Sequence, residues 1–110
     1  SGKPLREFIY SKDVARLAEW TLENYEGTEP LIFSGDEEIS IKELVDILVA
    51  EFKFKGKVIF DESKPDGQFK KPSDNSKIKE LYPEFEYTPL EEGIKETVNW
   101  FIENYETARK

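Results

Sequence analysis

Three amphipathic helix patterns dominate the sequence, and each follows a residue that commonly starts a helix. Ser11 precedes the first pattern, Ser40 and Glu43 form a capping box before the second, and Thr88 and Glu91 form another before the last. Within each pattern, apolar residues recur at three- and four-residue spacing, which is typical of a helix with one buried face. The chain is therefore expected to fold around helices that pack on something else.

Short apolar runs separate these patterns. Arg6–Tyr10, Pro30–Ser34 and Lys57–Phe60 are rich in aromatic and β-branched residues and are too short to be helices. A shorter helix is predicted at Asn75–Tyr82, stopped by Pro83. About three short strands and three to four helices predict a small α/β fold.

Length and composition point to one globular domain. The chain has 110 residues, of which 37% are hydrophobic and 36% charged. No apolar run approaches the ~18 residues of a transmembrane helix, and no secretory signal opens the sequence. We therefore expect a cytoplasmic location and no membrane partner. The formal net charge of −8 argues against a nucleic-acid partner, which requires a basic surface.

The chain contains no histidine and no cysteine. Those are the side chains most easily adjusted to move protons or attack carbon near neutral pH. A thiolate metal site is also excluded. We expect no catalytic residue and no metal ligand in this chain, so any chemistry would lie elsewhere.

The segment Lys64–Lys71, with sequence KPDGQFKK, places three lysines around a Pro-Asp-Gly turn in an otherwise acidic chain. Its aspartate, Asp66, has the residue type that turns favour, or it accepts hydrogen bonds from sugar hydroxyls or a base. Lys70 and Lys71 are either solvated charges or, beside free backbone N–H groups, ligands of a phosphate.

Arg6, at the head of the first predicted strand, has two interpretations. It is either a surface arginine paired with a carboxylate or a guanidinium fork for a phosphate group. The chain has no GxGxxG or GxxxxGK pattern, so no phosphate cradle of the usual kind is present.

These residues lie in recognisable stretches. PLREFIYSKDVA resembles the Arg-x-Phe-Ile-Tyr-x-x-Asp-Val-Ala stretch of extended short-chain dehydrogenase/reductases that act on nucleotide sugars. VIFDESKPDGQFKKPSDNSKI and the ending KETVNWFIENYETARK are similar to the members that epimerise and reduce GDP-4-keto-6-deoxy-D-mannose. The resemblance runs over the whole chain, with a slightly shorter acidic turn at Gly35–Glu38.

The resemblance implies that residues 1–110 form a C-terminal substrate-binding domain. In that family, an N-terminal Rossmann half carries the NADP loop, the Ser-Tyr-Lys catalytic set and the Cys and His of epimerisation. The chain begins directly before a strand, which suggests a cut inside a longer protein. We therefore expect NADP to be bound by the missing half, no cofactor in this fragment, and no activity of the fragment alone.

The same resemblance implies three substrate-binding residues: Arg6, Asp66 and Lys71. Asp13, in the first stretch, is expected to be structural. The implied partner is a GDP-sugar. Full-length family members homodimerise, whereas this fragment would be a monomer or would associate in a non-native way.

Two other interpretations remain open. The chain is a substrate domain of another nucleotide-sugar epimerase or dehydratase, or it is a non-catalytic interaction module with the same fold.

Overall fold

The computed structural model describes all 110 residues and contains two strands and four helices. None of the helices combines the length and apolar character needed to cross a membrane. In chain order the elements are β1 (Leu5–Glu7), α1 (Ser11–Asn24), β2 (Glu38–Ser40), α2 (Ile41–Glu51), α3 (Ser76–Leu81) and α4 (Leu90–Glu103). The small α/β fold is confirmed, with two strands where about three were predicted.

The two strands form an antiparallel pair in which Arg6 lies opposite Ile39. Ser40 ends β2 and caps α2 at once. The Glu43 amide donates to Ser40 Oγ at 3.1 Å, and the Ser40 amide donates to Glu43 Oε2 at 2.8 Å. The predicted capping box is confirmed, and it fixes the direction in which α2 leaves the sheet.

The core is small and lies among the helices. Leu17 of α1, Ile78 of α3, and Ile94 and Val98 of α4 are its buried apolar residues. Helix α2 packs against α4 without burying any residue fully. The predicted apolar face of α4 includes the buried Ile94 and Val98, and that of α1 includes the buried Leu17, whereas Leu22, also expected on the face of α1, is 89% exposed.

The strand predictions are wrong in two places. Pro30–Ser34 and Lys57–Phe60 are not strands, and neither makes a backbone–backbone hydrogen bond. Of Arg6–Tyr10 only the beginning pairs. A strand requires a partner, and β propensity cannot supply one. The opposite error occurs at Glu38–Ser40, which begins in the predicted acidic turn but pairs with β1.

Two predicted helix starts also differ. Tyr10 occupies the N-cap position of α1, and Ser11 is already helical. Pro89 occupies the N-cap position of α4, and no side chain caps that helix. The predicted box at Thr88 is wrong because its hydroxyl donates instead to buried Asp13, at 2.8 Å.

Helix α2 ends at Glu51, without a glycine at its end. Lys53 takes the left-handed conformation with φ 51°. Its amide donates to the Ala50 carbonyl at 3.1 Å, and the Phe54 amide donates to the Val49 carbonyl at 3.0 Å. This is the hydrogen-bond pattern of a Schellman motif, in which glycine is the usual left-handed residue.

The molecule is more extended than its length predicts. Its radius of gyration is 16.5 Å and its dimensions are 49 × 34 × 22 Å. A compact domain of this length has a radius of about 13 Å. Large apolar side chains are correspondingly exposed, among them Leu22 at 89% and Ile59 at 73%. The chain alone leaves apolar surface that a compact domain would bury.

Candidate functional site

The lysine loop, residues Lys64–Lys71, lies beside strand β1. The Leu5 amide donates to the Phe69 carbonyl at 2.8 Å, and the Ser73 amide just after the loop donates to Glu7 Oε1 at 3.1 Å. Loop and strand therefore run in the same direction. Arg6 lies between these two contacts on the strand, and Lys71 lies between them on the loop, so the structure brings these predicted site residues to one strip.

The glycine of the Pro-Asp-Gly stretch supplies the conformation that this path needs. Gly67 has φ 74°, in the left-handed region. A Cβ at Gly67 would meet no atom within 4 Å, so the requirement for glycine is conformational rather than steric.

Asp66 lies at the beginning of the strip. Its Oδ1 is 2.7 Å from the amino group of Ser1, and the Ser1 hydroxyl donates to Oδ2. In the 110-residue chain, the hydrogen bond from the Ser1 ammonium first, and then that from the Ser1 hydroxyl, hold the pKa of Asp66 below its ordinary value. Each carboxylate oxygen has a second lone pair, so Asp66 retains acceptor capacity towards a ligand.

Arg6 is half-buried and has no carboxylate partner. Its Nη1 donates to the carbonyl of Leu5 at 2.6 Å, and none of the ion pairs in the chain involves it. The guanidinium therefore keeps most of its N–H donors for another group. The interpretation of Arg6 as a surface arginine paired with a carboxylate is not what the structure shows.

The two adjacent lysines of the loop differ. Lys70 Nζ lies 2.7 Å from Glu38 Oε2 on β2, so a carboxylate neutralises its charge. Lys71 is exposed and takes part in no ion pair of the chain. Lys71 and Arg6 are therefore unpaired cations, as are Lys64 of the same loop and Lys3 before β1.

Asp66 and Arg6 form no ion pair with each other. Asp66 is held at Ser1, and the five steps of chain from Ser1 to Arg6 extend over at most about 17 Å. A single ligand that contacts both residues would need anionic groups near Arg6 and Lys71 and hydroxyl or N–H donors near Asp66. The arrangement can bind and orient such a ligand.

A large groove lies elsewhere on the molecule. It has a volume of about 1090 Å³ and runs between α2 and α4. Apolar side chains and several carboxylates, including Asp36 and Glu91, line it, whereas Arg6, Asp66 and Lys71 do not. Its negative lining disfavours an anionic ligand, so charge rather than size assigns the candidate site to the strip.

Asp13 has the structural role that was expected. It is only 1% exposed and accepts hydrogen bonds from the Thr88 amide at 2.7 Å, the Thr88 hydroxyl at 2.8 Å and Arg16 Nη1 at 3.2 Å. The start of α1 is thereby joined to the start of α4.

Sequence reasoning missed the two carboxylates that face the lysine loop, Glu7 and Glu38. Glu38 was assigned to a turn, and nothing near it in the sequence indicates the contact with Lys70. The only available signal is general: acidic residues are uncommon in strands, so an acidic residue there needs a reason.

Comparisons with known proteins find relatives that match the whole chain. No family model matches the chain. A putative UDP-glucose 4-epimerase of Methanocaldococcus jannaschii is 34% identical over 108 residues. The chain is therefore similar to part of a nucleotide-sugar-modifying enzyme.

Within that class, the chain is similar along its whole length to GDP-L-fucose synthases. The Dictyostelium discoideum enzyme is 54% identical over 112 residues, and that of Escherichia coli is 32% identical over 118. The crystal structure of a GDP-L-fucose synthetase from Naegleria fowleri bound to NADP superposes with a TM-score of 0.97 at 52% identity and covers the whole chain. The chain spans only about a third of these relatives, 35% of the Dictyostelium and Naegleria proteins.

Proposed function

We propose that the chain is the substrate-binding part of a GDP-L-fucose synthase that binds GDP-4-keto-6-deoxy-D-mannose. The full enzyme would epimerise C3 and C5 of the sugar and reduce its 4-keto group with NADPH. The observation that carries the proposal is the strip beside β1, where Arg6 and Lys71 keep unpaired charges in a chain of net charge −8.

The proposed roles follow from the side chains. Arg6 offers a fork of N–H donors that matches phosphate oxygens, and Lys71 adds a second positive charge to the same strip. Asp66 accepts hydrogen bonds from sugar hydroxyls or from guanine N–H groups. A diphosphate between two hydroxylated or N–H-bearing ends offers an anion to Arg6 and hydrogen-bond donors to Asp66.

NADP does not fit the residues of this chain. None of its four helices begins after a glycine-rich turn of the kind that receives a dinucleotide phosphate. We propose that NADP, the Ser-Tyr-Lys set and the epimerising Cys and His lie in an N-terminal portion. The length of the relatives supports this proposal, as does the NADP-bound Naegleria structure.

The proposed contribution of the chain is binding and positioning. Holding a substrate in the reactive geometry accounts for several kcal/mol of a typical enzymatic barrier. The 110-residue chain alone is expected to oxidise no NADPH. The full enzyme is expected to act in the cytoplasm as a homodimer, and its N-terminal portion is expected to cover exposed apolar residues such as Leu22.

Steady-state kinetics of the full-length enzyme test the proposal. NADPH oxidation dependent on GDP-4-keto-6-deoxy-D-mannose is expected. Arg6→Ala should raise KM for the GDP-sugar by about tenfold to a hundredfold, as expected for a lost charged hydrogen bond of ~1.5–3 kcal/mol. Lys71→Met should raise KM less, because a lysine is a point charge without a bidentate fork.

Lys55→Met is the matched control, because it removes an exposed lysine outside the loop. It should leave KM unchanged. A wild-type KM for Arg6→Ala would refute the assigned site. Turnover of a UDP-sugar in place of the GDP-sugar would instead establish a related nucleotide-sugar epimerase.

A further inference from the structure

Two carboxylates on the short sheet contact the segment that carries the lysine loop. Glu7 of β1 and Glu38 of β2 lie opposite each other in the strand register. Glu38 Oε2 is 2.7 Å from Lys70 Nζ. Glu7 accepts from the Ser73 amide at 3.1 and 3.3 Å and from the Ser73 hydroxyl.

This placement is unfavourable for the sheet itself. Like charges directly opposite each other destabilise a strand pair, and glutamate is depleted in strands. The sheet has only three residue pairs, so Glu7 and Glu38 form one of the three. The groups that donate to Glu7 and Glu38 belong to Ser73 and Lys70, which lie on either side of Lys71. The negative charges of the two glutamates are therefore compensated by the segment Lys70–Ser73.

Separating the Glu38–Lys70 ion pair would be more unfavourable for Glu38 than for Lys70, because Glu38 is the more buried of the two. The Glu38 side chain is 16% exposed, whereas that of Lys70 is 55% exposed. The second oxygen of Glu38, Oε1, is buried and accepts no hydrogen bond. A largely buried carboxylate with one partner keeps that partner in place, because separating them leaves an uncompensated charge.

The loop has few other attachments. No helix or strand lies between α2 and α3, and the Leu5–Phe69 contact is the one backbone hydrogen bond that links the loop to the rest of the chain. Without side-chain attachment, Lys71 would have to be ordered when the ligand binds, at a cost in affinity.

We propose that Glu7 and Glu38 are positioning residues that hold the segment Lys70–Ser73 against β1, so that Lys71 and Arg6 face the same diphosphate. Lys70 is then the anchor of the loop, and Lys71 is the ligand of the phosphate. This inference rests on the proposed function, because it assumes that the strip receives a GDP-sugar.

The direction in which KM for the GDP-sugar changes tests the inference. Glu38→Gln and Glu7→Gln each remove a negative charge beside an anion site, and through simple electrostatics each should lower KM for the GDP-sugar. If the two carboxylates hold the loop, each variant should raise KM instead, by about tenfold, with kcat nearly unchanged. The assay is steady-state kinetics of the full-length enzyme at fixed ionic strength.

Glu37→Gln is the matched control. It removes the same charge from the neighbouring exposed residue, which takes part in no ion pair, and KM should not rise. Lys70→Arg, which preserves the ion pair, should retain a near wild-type KM. Thermal melting of each variant shows whether the fold survives, and Glu7→Gln decides the matter if Glu38→Gln unfolds.

The outcomes distinguish the positioning role of Glu7 and Glu38 from the proposed GDP-sugar site on which it rests. If Arg6→Ala leaves KM unchanged, the proposed site itself is wrong. If Arg6→Ala raises KM while folded Glu7→Gln and Glu38→Gln leave it unchanged or lower it, the site stands and the positioning role is wrong. A lower KM in Glu38→Gln would mean that the freed Lys70 binds the phosphate directly.

Discussion

Two aspartates, Asp13 and Asp66, show how differently the two parts of this molecule use the same side chain. Asp13 is 1% exposed and takes three hydrogen bonds from Thr88 and Arg16. Asp66 has a side chain that is 40% exposed, and only Ser1 contacts it. Where the protein supplies all the donors, the carboxylate holds structure. Where it supplies few, acceptor capacity remains for a ligand.

The contrast extends to the surroundings of each residue. Asp13 lies in the helical frame, which we define as α1, α3 and α4 with the core residues Leu17, Ile78, Ile94 and Val98. Asp66 lies in the irregular segment, residues 54–75, which contains no helix or strand and is mostly exposed. Rigid elements that position a more pliant binding segment are a common arrangement of functional sites.

The largest expected effect is on stability, from Asp13→Ala. The substitution leaves the Thr88 amide and hydroxyl without their acceptor in a part-buried position. Removing one partner of such a buried charged network costs about 3 kcal/mol of the free energy of unfolding. For a domain of this size, the melting temperature should fall by more than 10 °C, roughly.

Thr88→Val is the matched comparison, because it removes the hydroxyl but keeps the amide bond to Asp13. It should cost only about 1 kcal/mol, the net contribution of one hydrogen bond, in urea or thermal unfolding. A loss below that value for Asp13→Ala would show that the three contacts do not hold the helical frame together.

The next effect is expected on kinetics rather than stability, from Asp66→Ala in the full-length enzyme. Loss of the acceptor should lower kcat/KM for the GDP-sugar by about tenfold to a hundredfold, or ~1.5–3 kcal/mol. Stability should change little, because Asp66 is exposed and Ser1 is the one residue that hydrogen-bonds to it. Steady-state kinetics and thermal melting, run together, check both expectations.

Asp66→Asn sharpens this comparison, since it keeps an acceptor oxygen but loses the charge. An intermediate kcat/KM is expected. Normal kinetics combined with a marked loss of stability in Asp66→Ala would show that Asp66 has a structural role like that of Asp13. The proposed contrast between the two parts would then be wrong.

How much of the fold was predictable depends on whether the determinant is local. The three amphipathic helices and the capping box of Ser40 and Glu43 were predicted correctly, because all their determinants lie within a few turns of chain. The strands were not. Pro30–Ser34 has the composition of a strand and no partner, whereas Glu38–Ser40 has an unlikely composition and a partner in β1.

The site shows the same limit. Composition left Arg6, Asp66 and Lys71 ambiguous, and only the resemblance to known enzymes selected them. The structure then showed two facts that no local pattern contains. Arg6 has no carboxylate partner, and Glu38 neutralises the charge of Lys70. Thr88 failed as a cap for a similar reason, because its acceptor Asp13 lies 75 residues away.

The smallest expected effect is a difference in acid sensitivity between the two parts. In the irregular segment the pKa values of Asp61, Asp66 and Asp74 are all below the ordinary value. Hydrogen bonds from Ser63, from the Ser1 ammonium and from Ser76, respectively, are the first causes. A carboxylate with a lowered pKa stabilises the folded state above its ordinary pKa, and that contribution disappears as the pH falls through the lowered value.

The irregular segment should therefore loosen as the pH falls below about 4, before the helical frame, although a hydrogen bond from Tyr10 also lowers the pKa of Glu96 on α4. Protonation also reduces the charge repulsion within a chain of net charge −8, and this reduction stabilises the folded state as a whole. The local loosening of the irregular segment should therefore be observable before global unfolding. In an NMR titration, the amide signals of Phe69 and its neighbours should shift and broaden before those of Leu17. Asp74→Asn should remove part of this early change, since asparagine cannot be protonated in that range. If the signals of both parts disappear at one pH, the irregular segment is not a separate unit, and Asp66 is held as firmly as Asp13.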